Sequence, residues 1–272
     1  MIPESDVFSL SGPIHLKPVD WNNAFNRRSV AASLVQGVSI HERDRQHNRH
    51  GFQALAPPWW DFFDFRLNDV LVDEDDASIF CSIYEFKYPA PAGNVPKYVI
   101  AFRGTLMEKD TILQDLAMDL RCCFNKLHNS PRFQRALDIV QNTVALAGAA
   151  NVWLAGHSLG SAMALLAGKS MAKMGCFLET YLFNPPFLSV PIEWIEDNRV
   201  KHGIRFTRSF LKAGLTIALN GCRFLKHPEL DTFVGLSQWI PYLFVNPNDH
   251  FCSDYIGYFE QRKKMNENGA GR

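Results

Sequence analysis

The residues best suited to covalent chemistry lie in the stretch Asn151 to Met174, NVWLAGHSLGSAMALLAGKSMAKM. Ser158 is flanked there by Gly156 and Gly160. An apolar run (Val152, Trp153, Leu154, Ala155) that suits a buried strand precedes it, and an Ala/Leu/Met-rich run that suits a helix follows it. A strand-to-helix reversal this tight leaves no room for side chains two residues before and after the serine, and it pushes the hydroxyl clear of both elements. The serine also sits at a helix N-terminus, where free N–H groups favour developing negative charge. Such a hydroxyl attacks an acyl carbon once a base takes its proton. The competing reading is a glycine turn with an inert serine, and the flanking strand and helix argue against it.

No other chemistry-bearing group is organised in this way. The six cysteines (Cys81, Cys122, Cys123, Cys176, Cys222, Cys252) show no C-x-x-C pair and no metal-ligand spacing, which suits reduced, buried thiols in an intracellular protein. His47 and His50 are three apart in the charged run HERDRQHNRH, but without the His-Glu-x-x-His pattern that run reads as a solvated helix end. No metal or organic cofactor is implied. Lys+Arg and Asp+Glu both number 28, and with no basic-aromatic run a nucleic-acid partner is not expected. The N-terminus MIPESDVFSLSGPIH lacks the positive-then-apolar pattern of a secretory signal, so a cytoplasmic location is expected. The longest apolar window is the serine stretch itself, better explained by a strand and a core helix than by a transmembrane segment.

The elements that must position Ser158 are those of one α/β domain spanning residues 1–272, with 47% hydrophobic residues to build its core. Residues 1–23 read as irregular structure wrapping the domain. Arg28 to Ile40 puts Val30, Leu34 and Val38 on one helical face, and APPWW with the aromatic segment to Val72 reads as a packed loop and short helix. Trp59 and Trp60 read as packing residues, with an acyl-site lining as the lesser alternative. ASIFCSIYEF and YVIAFRGT read as a strand pair leading into the sheet. DTILQDLAMDLRCCF and the segment after Pro131 are amphipathic helices, FLETYLFNPP and WIPYLFVN are later strands, and Asp254 to Met265 is a charged helix. Residues 187–238 interrupt this rhythm. Their stripe of Phe206, Phe210, Ala213 and Ile217 beside Lys201, Arg205, Arg208 and Lys212 reads as a helix with one buried and one solvated face, with peripheral lipid contact as the alternative.

Taken together, SGPIHL, VDWNN, RRSVAASLVQGV, RDRQ, ALAPPWW, FRGT, GHSLGS, FNPP, VNPND and YIGYFEQRKKM resemble the class 3, fungal-lipase-like family of α/β-hydrolases, and within it a set of plant lipase-like proteins. Some of that set carry a GDSL label, although no GDSL motif occurs here. The resemblance covers nearly the whole chain. It implies an α/β-hydrolase fold: a mainly parallel central sheet flanked by helices, with a lid over residues 106–128 and a helical cap over residues 187–238. It implies that Ser158 is the nucleophile and that the amides of Thr105 and Leu159 form the oxyanion hole. Two such preorganised donors contribute about 3 kcal/mol each in a dry site. It further implies that Asp249 is the triad acid, in the order Ser, Asp, His.

The family's base lies well downstream of its acid, whereas only 23 residues follow Asp249 and His250 is the one histidine among them. Adjacent residues in extended chain point in opposite directions, so Asp249 is poorly placed to orient His250. His157 matches the family's spacer inside the elbow rather than its base. The expected function is therefore a serine carboxylic-ester hydrolase acting on a lipid or other acyl ester, either with His250 as its base or in a form shortened before its base. The alternative is a non-catalytic interaction protein on the same scaffold.

Overall fold

The computed structural model describes residues 2–89, 93–104, 127, 130–187, 236–249 and 252–267. The expected helix at 110–124, Thr105 and His250 lie outside the described residues. So do the lid at 106–128 apart from Leu127, and the cap at 187–238 apart from Phe187 and residues 236–238.

Six strands of the described residues form one sheet: β1 (Phe65–Val72), β2 (Ile79–Phe86), β3 (Tyr98–Phe102), β4 (Val152–His157), β5 (Glu179–Phe183) and β6 (Tyr242–Phe244). They lie side by side in chain order. β1, β2 and β3 pair antiparallel, and β3 to β6 run parallel. Among the described residues six α-helices accompany them: α1 (Phe8–Ser11), α2 (Ala24–Gln46), α3 (Pro58–Asp61), α4 (Pro131–Ala147), α5 (Leu159–Lys173) and α6 (Asp254–Glu267). The fold is that of an α/β-hydrolase, with helices on both faces of a largely parallel sheet. No helix among the described residues is long and apolar enough to cross a membrane.

Each face of the sheet has its own core. On one face α2, capped by Asn23 whose side chain accepts from the Phe25 amide at 2.8 Å, lays Val30, Leu34 and Val38 on the strands with Trp59, Trp60, Phe63 and Phe65 around it. Trp59 and Trp60 are thus packing residues, buried on the α2 side. On the other face α4 and α5 contribute Phe133, Val140, Ala162, Met163, Ala167 and Met171. α4 starts at Pro131, whose missing N–H costs nothing in the first turn, after Ser130 caps the Phe133 amide at 3.1 Å.

Two expectations fail. Residues 65–72 form the edge strand β1 instead of loop and helix. Their alternation is disguised by a bulge between Leu67 and Asp69 that shifts the register by one residue. The charged run from His41 is not simply solvated: Glu42 and Asp44 are buried. Asp44 accepts from Arg49 at 2.6 Å and from the amides of Leu55 and Ala56 at 2.9 Å each. Chain that returns over the helix end supplies the donors a buried carboxylate needs, and sequence periodicity does not register it.

Candidate active site

The parallel register brings four strand ends together at one edge of the sheet, where α/β proteins carry their sites. Phe102 lies beside Gly156, His157 beside Phe183, and Phe183 beside Phe244. The loops leaving β3, β4, β5 and β6 therefore emerge side by side. They begin with Arg103-Gly104, Ser158, Asn184 and the segment to Asp249, respectively.

Ser158 occupies φ 51°, ψ −122°, between β4 and α5. A non-glycine residue there is strained by about 1–3 kcal/mol, and the surroundings must hold it in place. They do so by contact. A Cβ on Gly156 would stand 2.3 Å from the Gly160 carbonyl oxygen, and one on Gly160 would stand 2.3 Å from the Phe102 carbonyl oxygen. Both glycines are obligatory because backbone passes directly over backbone. The Ser158 amide donates to the Phe183 carbonyl at 3.0 Å. The Ser161 hydroxyl, fully buried, bridges the Gly156 and Phe183 carbonyls at 2.6 and 2.8 Å. Ser161 is a positioning residue that no periodicity in the sequence marks. Its signal was the polar residue completing GHSLGS at the start of an otherwise apolar helix.

Gly104 closes one side. A Cβ there would lie 3.0 Å from Ser158 Cβ and 2.9 Å from the His157 carbonyl oxygen, so the loop after β3 reaches the serine only because residue 104 has no side chain. Leu159 is buried at the first turn of α5. Thr105 is the next residue along the Gly104 loop, outside the described residues.

Asp249 arrives by a longer route. Asn184, at φ 45°, donates its amide to the Phe244 carbonyl at 2.8 Å and accepts the Asn246 amide on its side-chain oxygen at 2.9 Å. Asn246 in turn accepts the Asn248 amide at 3.0 Å on its side chain and the Asp249 amide at 3.0 Å on its carbonyl. The Asp249 carbonyl then receives the amides of Cys252 and Ser253 as the chain turns into α6. This ladder brings the Asp249 carboxylate into electrostatic range of His157. His157 is exposed to solvent at the end of β4 but has protein close around it; that crowding shifts its pKa below the usual 6.5, and the charge of Asp249 opposes the shift. His157 is therefore a neutral imidazole at neutral pH. His250, adjacent to Asp249, lies outside the described residues.

Two cavities border this edge. One, of about 330 Å³, reaches Gly104 and Leu159, has Phe80 and Met163 in its wall, and carries the polar groups Glu42, Arg45, Asp76, Arg103 and Arg132. The other, of about 430 Å³, shares Phe80, Arg132 and Leu159 with it and is more apolar, with Val72, Leu127 and Pro131 in its wall.

Residues 97–186, from β3 through the loop after β5, match the family described as Lipase (class 3). An Arabidopsis thaliana protein named GDSL esterase/lipase is 50% identical over 286 aligned residues, covering 100% of this chain and 81% of the relative. No solved structure matches the chain. An α/β-hydrolase sheet with a strained serine at its central strand end, together with identity this high along the entire chain, shows that the protein belongs to the class 3 lipase family as one of its plant lipase-like members.

Proposed function

We propose that this chain is a serine carboxylic-ester hydrolase acting on a lipid or other acyl ester. Class 3 kinship supports a lipid ester hydrolase at family level, and the name of the Arabidopsis relative points the same way. The observation that carries the finer reading is Ser158 at φ 51°, strain that an inert turn has no reason to keep.

In this mechanism Ser158 Oγ bonds to the acyl carbon as its proton passes to an imidazole. The carbonyl electron pair moves onto oxygen, where the amides of Leu159 and Thr105 receive it. Collapse of the tetrahedral intermediate expels the alcohol, which takes the proton, and water then repeats the sequence on the acyl-serine. Asp249 is the candidate triad acid, although as the chain neighbour of His250 it is poorly placed to orient that ring. His250 is the candidate base. His157 is neutral and close to Asp249, but it adjoins Ser158 in the chain, so its ring and the hydroxyl diverge from neighbouring backbone positions.

Intact-mass labelling with a fluorophosphonate tests this reading, with Ser158→Ala as control. A single adduct that vanishes in the control establishes an activated serine, and His250→Ala then asks whether that imidazole is the base. A folded chain that takes no label supports the non-catalytic alternative instead.

A further inference from the structure

The three guanidiniums around the polar cavity are not closed off by their counter-ions. Arg45 gives Nε and Nη2 to Glu42 at 2.8 and 2.7 Å. Arg132 gives Nε and Nη2 to Asp73. Arg103 gives Nε to the Ile79 carbonyl and Nη1 to the Gly104 carbonyl, with no carboxylate in ion-pair contact among the described residues. One terminal nitrogen of each guanidinium thus has no hydrogen-bond partner among the described residues, and none of the three is a sealed, orphaned atom.

The acceptors of the cavity are engaged at Glu42 and at one oxygen of Asp76. Glu42 accepts from both Arg45 nitrogens and from the Ile79 amide at 2.9 Å, and Asp76 accepts the Ser78 amide at 2.8 Å. The cavity thus sets three guanidiniums against the carboxylates of Glu42 and Asp76, with Asp73 pairing Arg132 from the neighbouring cavity, and Arg103 is the one of the three without an ion-pair contact among the described residues. The electrostatics agree. Burial presses the pKa of Arg103 down; Glu42 and Asp76 pull it up while Arg132 and Arg45 repel it, and the net direction is down. An anion placed among these groups relieves that repulsion and replaces lost hydration.

We propose that this cavity is an anion subsite for a phosphate-type oxyanion, carried by a lipid head group or present as free phosphate, with Arg103 at its centre. The planar fork of a guanidinium matches tetrahedral oxyanions better than an ammonium does. The position gives the subsite its use, which rests on the hydrolase reading. Gly104 and Leu159 form part of its wall, and the more apolar cavity adjoins it through Phe80 and Arg132. An anionic head group and an acyl chain of one substrate would then lie in neighbouring cavities on either side of the backbone that faces the ester.

Calorimetric titration of the full chain carrying Ser158→Ala, which binds without turnover, tests the subsite with three probes: inorganic phosphate, dihexanoyl phosphatidate and dihexanoylglycerol. Phosphatidate is expected to bind at least about tenfold more tightly than the neutral diacylglycerol, with inorganic phosphate competing against it. Arg103→Gln removes that preference, and Arg103→Lys restores part of it. Acyl chains that add affinity identify the lipid head group as the source; phosphate binding as tightly alone identifies the free ion. Equal affinity for the charged and neutral lipids without phosphate competition overturns the proposal, and so does a preference that survives in a folded Arg103→Gln. The preference and the competition need no Arg103 substitution, so they stand even if that variant fails to fold. Absent fluorophosphonate labelling of the unsubstituted chain would remove the hydrolase reading while leaving these titrations readable.

Discussion

The turn after β4 and the loop after β6 end at the same edge of the sheet and are held there by different forces. Around Ser158 the constraint is steric: Gly156 and Gly160 sit where an added Cβ would meet backbone at 2.3 Å. Around Asp249 it is a ladder of hydrogen bonds running through Asn184 and Asn246, residues 62 apart in sequence and exposed to solvent at the bond. Contact of the first kind has no intermediate setting, because repulsion rises within tenths of an ångström. Hydrogen bonds of the second kind exchange with water and contribute about 1 kcal/mol each. The serine's geometry is therefore all or nothing, whereas that of the acid is adjustable.

Substitutions separate the two. The largest effect expected is on chemistry: Ser158→Ala lowers ester hydrolysis by about 10⁶, read from single-turnover rates on a short-chain ester. Ser158→Gly loses the same activity yet raises stability by about 1 kcal/mol, because glycine relaxes a positive φ. A melting temperature that falls in Ser158→Gly contradicts the account of strain. Next in size, Gly156→Ala or Gly160→Ala costs about 3 kcal/mol or prevents folding, measured by urea denaturation, since the atoms a new Cβ would meet are backbone and cannot rotate away. Ser161→Ala costs about 1–2 kcal/mol by removing the hydroxyl that bridges Gly156 and Phe183.

The loop after β6 should respond more gently. Asn184→Ala is expected to cost about 1 kcal/mol and to lower activity about tenfold by loosening Asp249. A loss as large as that of Ser158→Ala would mean that the two regions are not distinct in kind. The smallest expected effect is on pH dependence. His41 and His157 both have pKa values below the usual 6.5, in each case chiefly by desolvation and against the pull of nearby carboxylates. The unfolded chain therefore takes up protons first. Their contribution to stability is complete above 6.5 and is lost as pH falls from 6.5 toward the folded values. Glu42 adds a later loss at lower pH. Burial raises its pKa, but the hydrogen bonds from Arg45 and the Ile79 amide outweigh burial and leave it below 4.5. Thermal midpoints that stay flat between neutral pH and pH 5 would contradict the histidine part of this account.

Much of this architecture was legible before any coordinates. Val152 to Ala155, Gly156 against Gly160 and the apolar helix after them act within one local segment, although Gly160 also needs its room beside the Phe102 carbonyl of β3, and the strand–turn–helix appears as read. The segments YVIAFRGT and FLETYLFNPP likewise contain the neighbouring strands, although β3 ends at Phe102 and β5 at Phe183, short of the ends read for them. What failed did so because the deciding contacts are remote. β1 was hidden by a bulge whose partner strand begins at Ile79, and Glu42 and Asp44 read as solvated because their donors come from Arg45, Ile79, Leu55 and Ala56.

The sequence by itself determined the fold class and the serine's conformation, because a strand, two glycines and a helix leave a residue between them almost no other backbone to adopt. Only the tertiary structure decided that Asn184 and Asn246 tie the loop after β6 to the end of β5. It alone decided that Asp249 comes within the field of His157, and that Arg45, Arg103 and Arg132 share one cavity beside Gly104. Local sterics act between residues a few positions apart and so leave a periodic mark. Hydrogen bonds and charges act between whichever residues the folded sheet brings together, and they leave none.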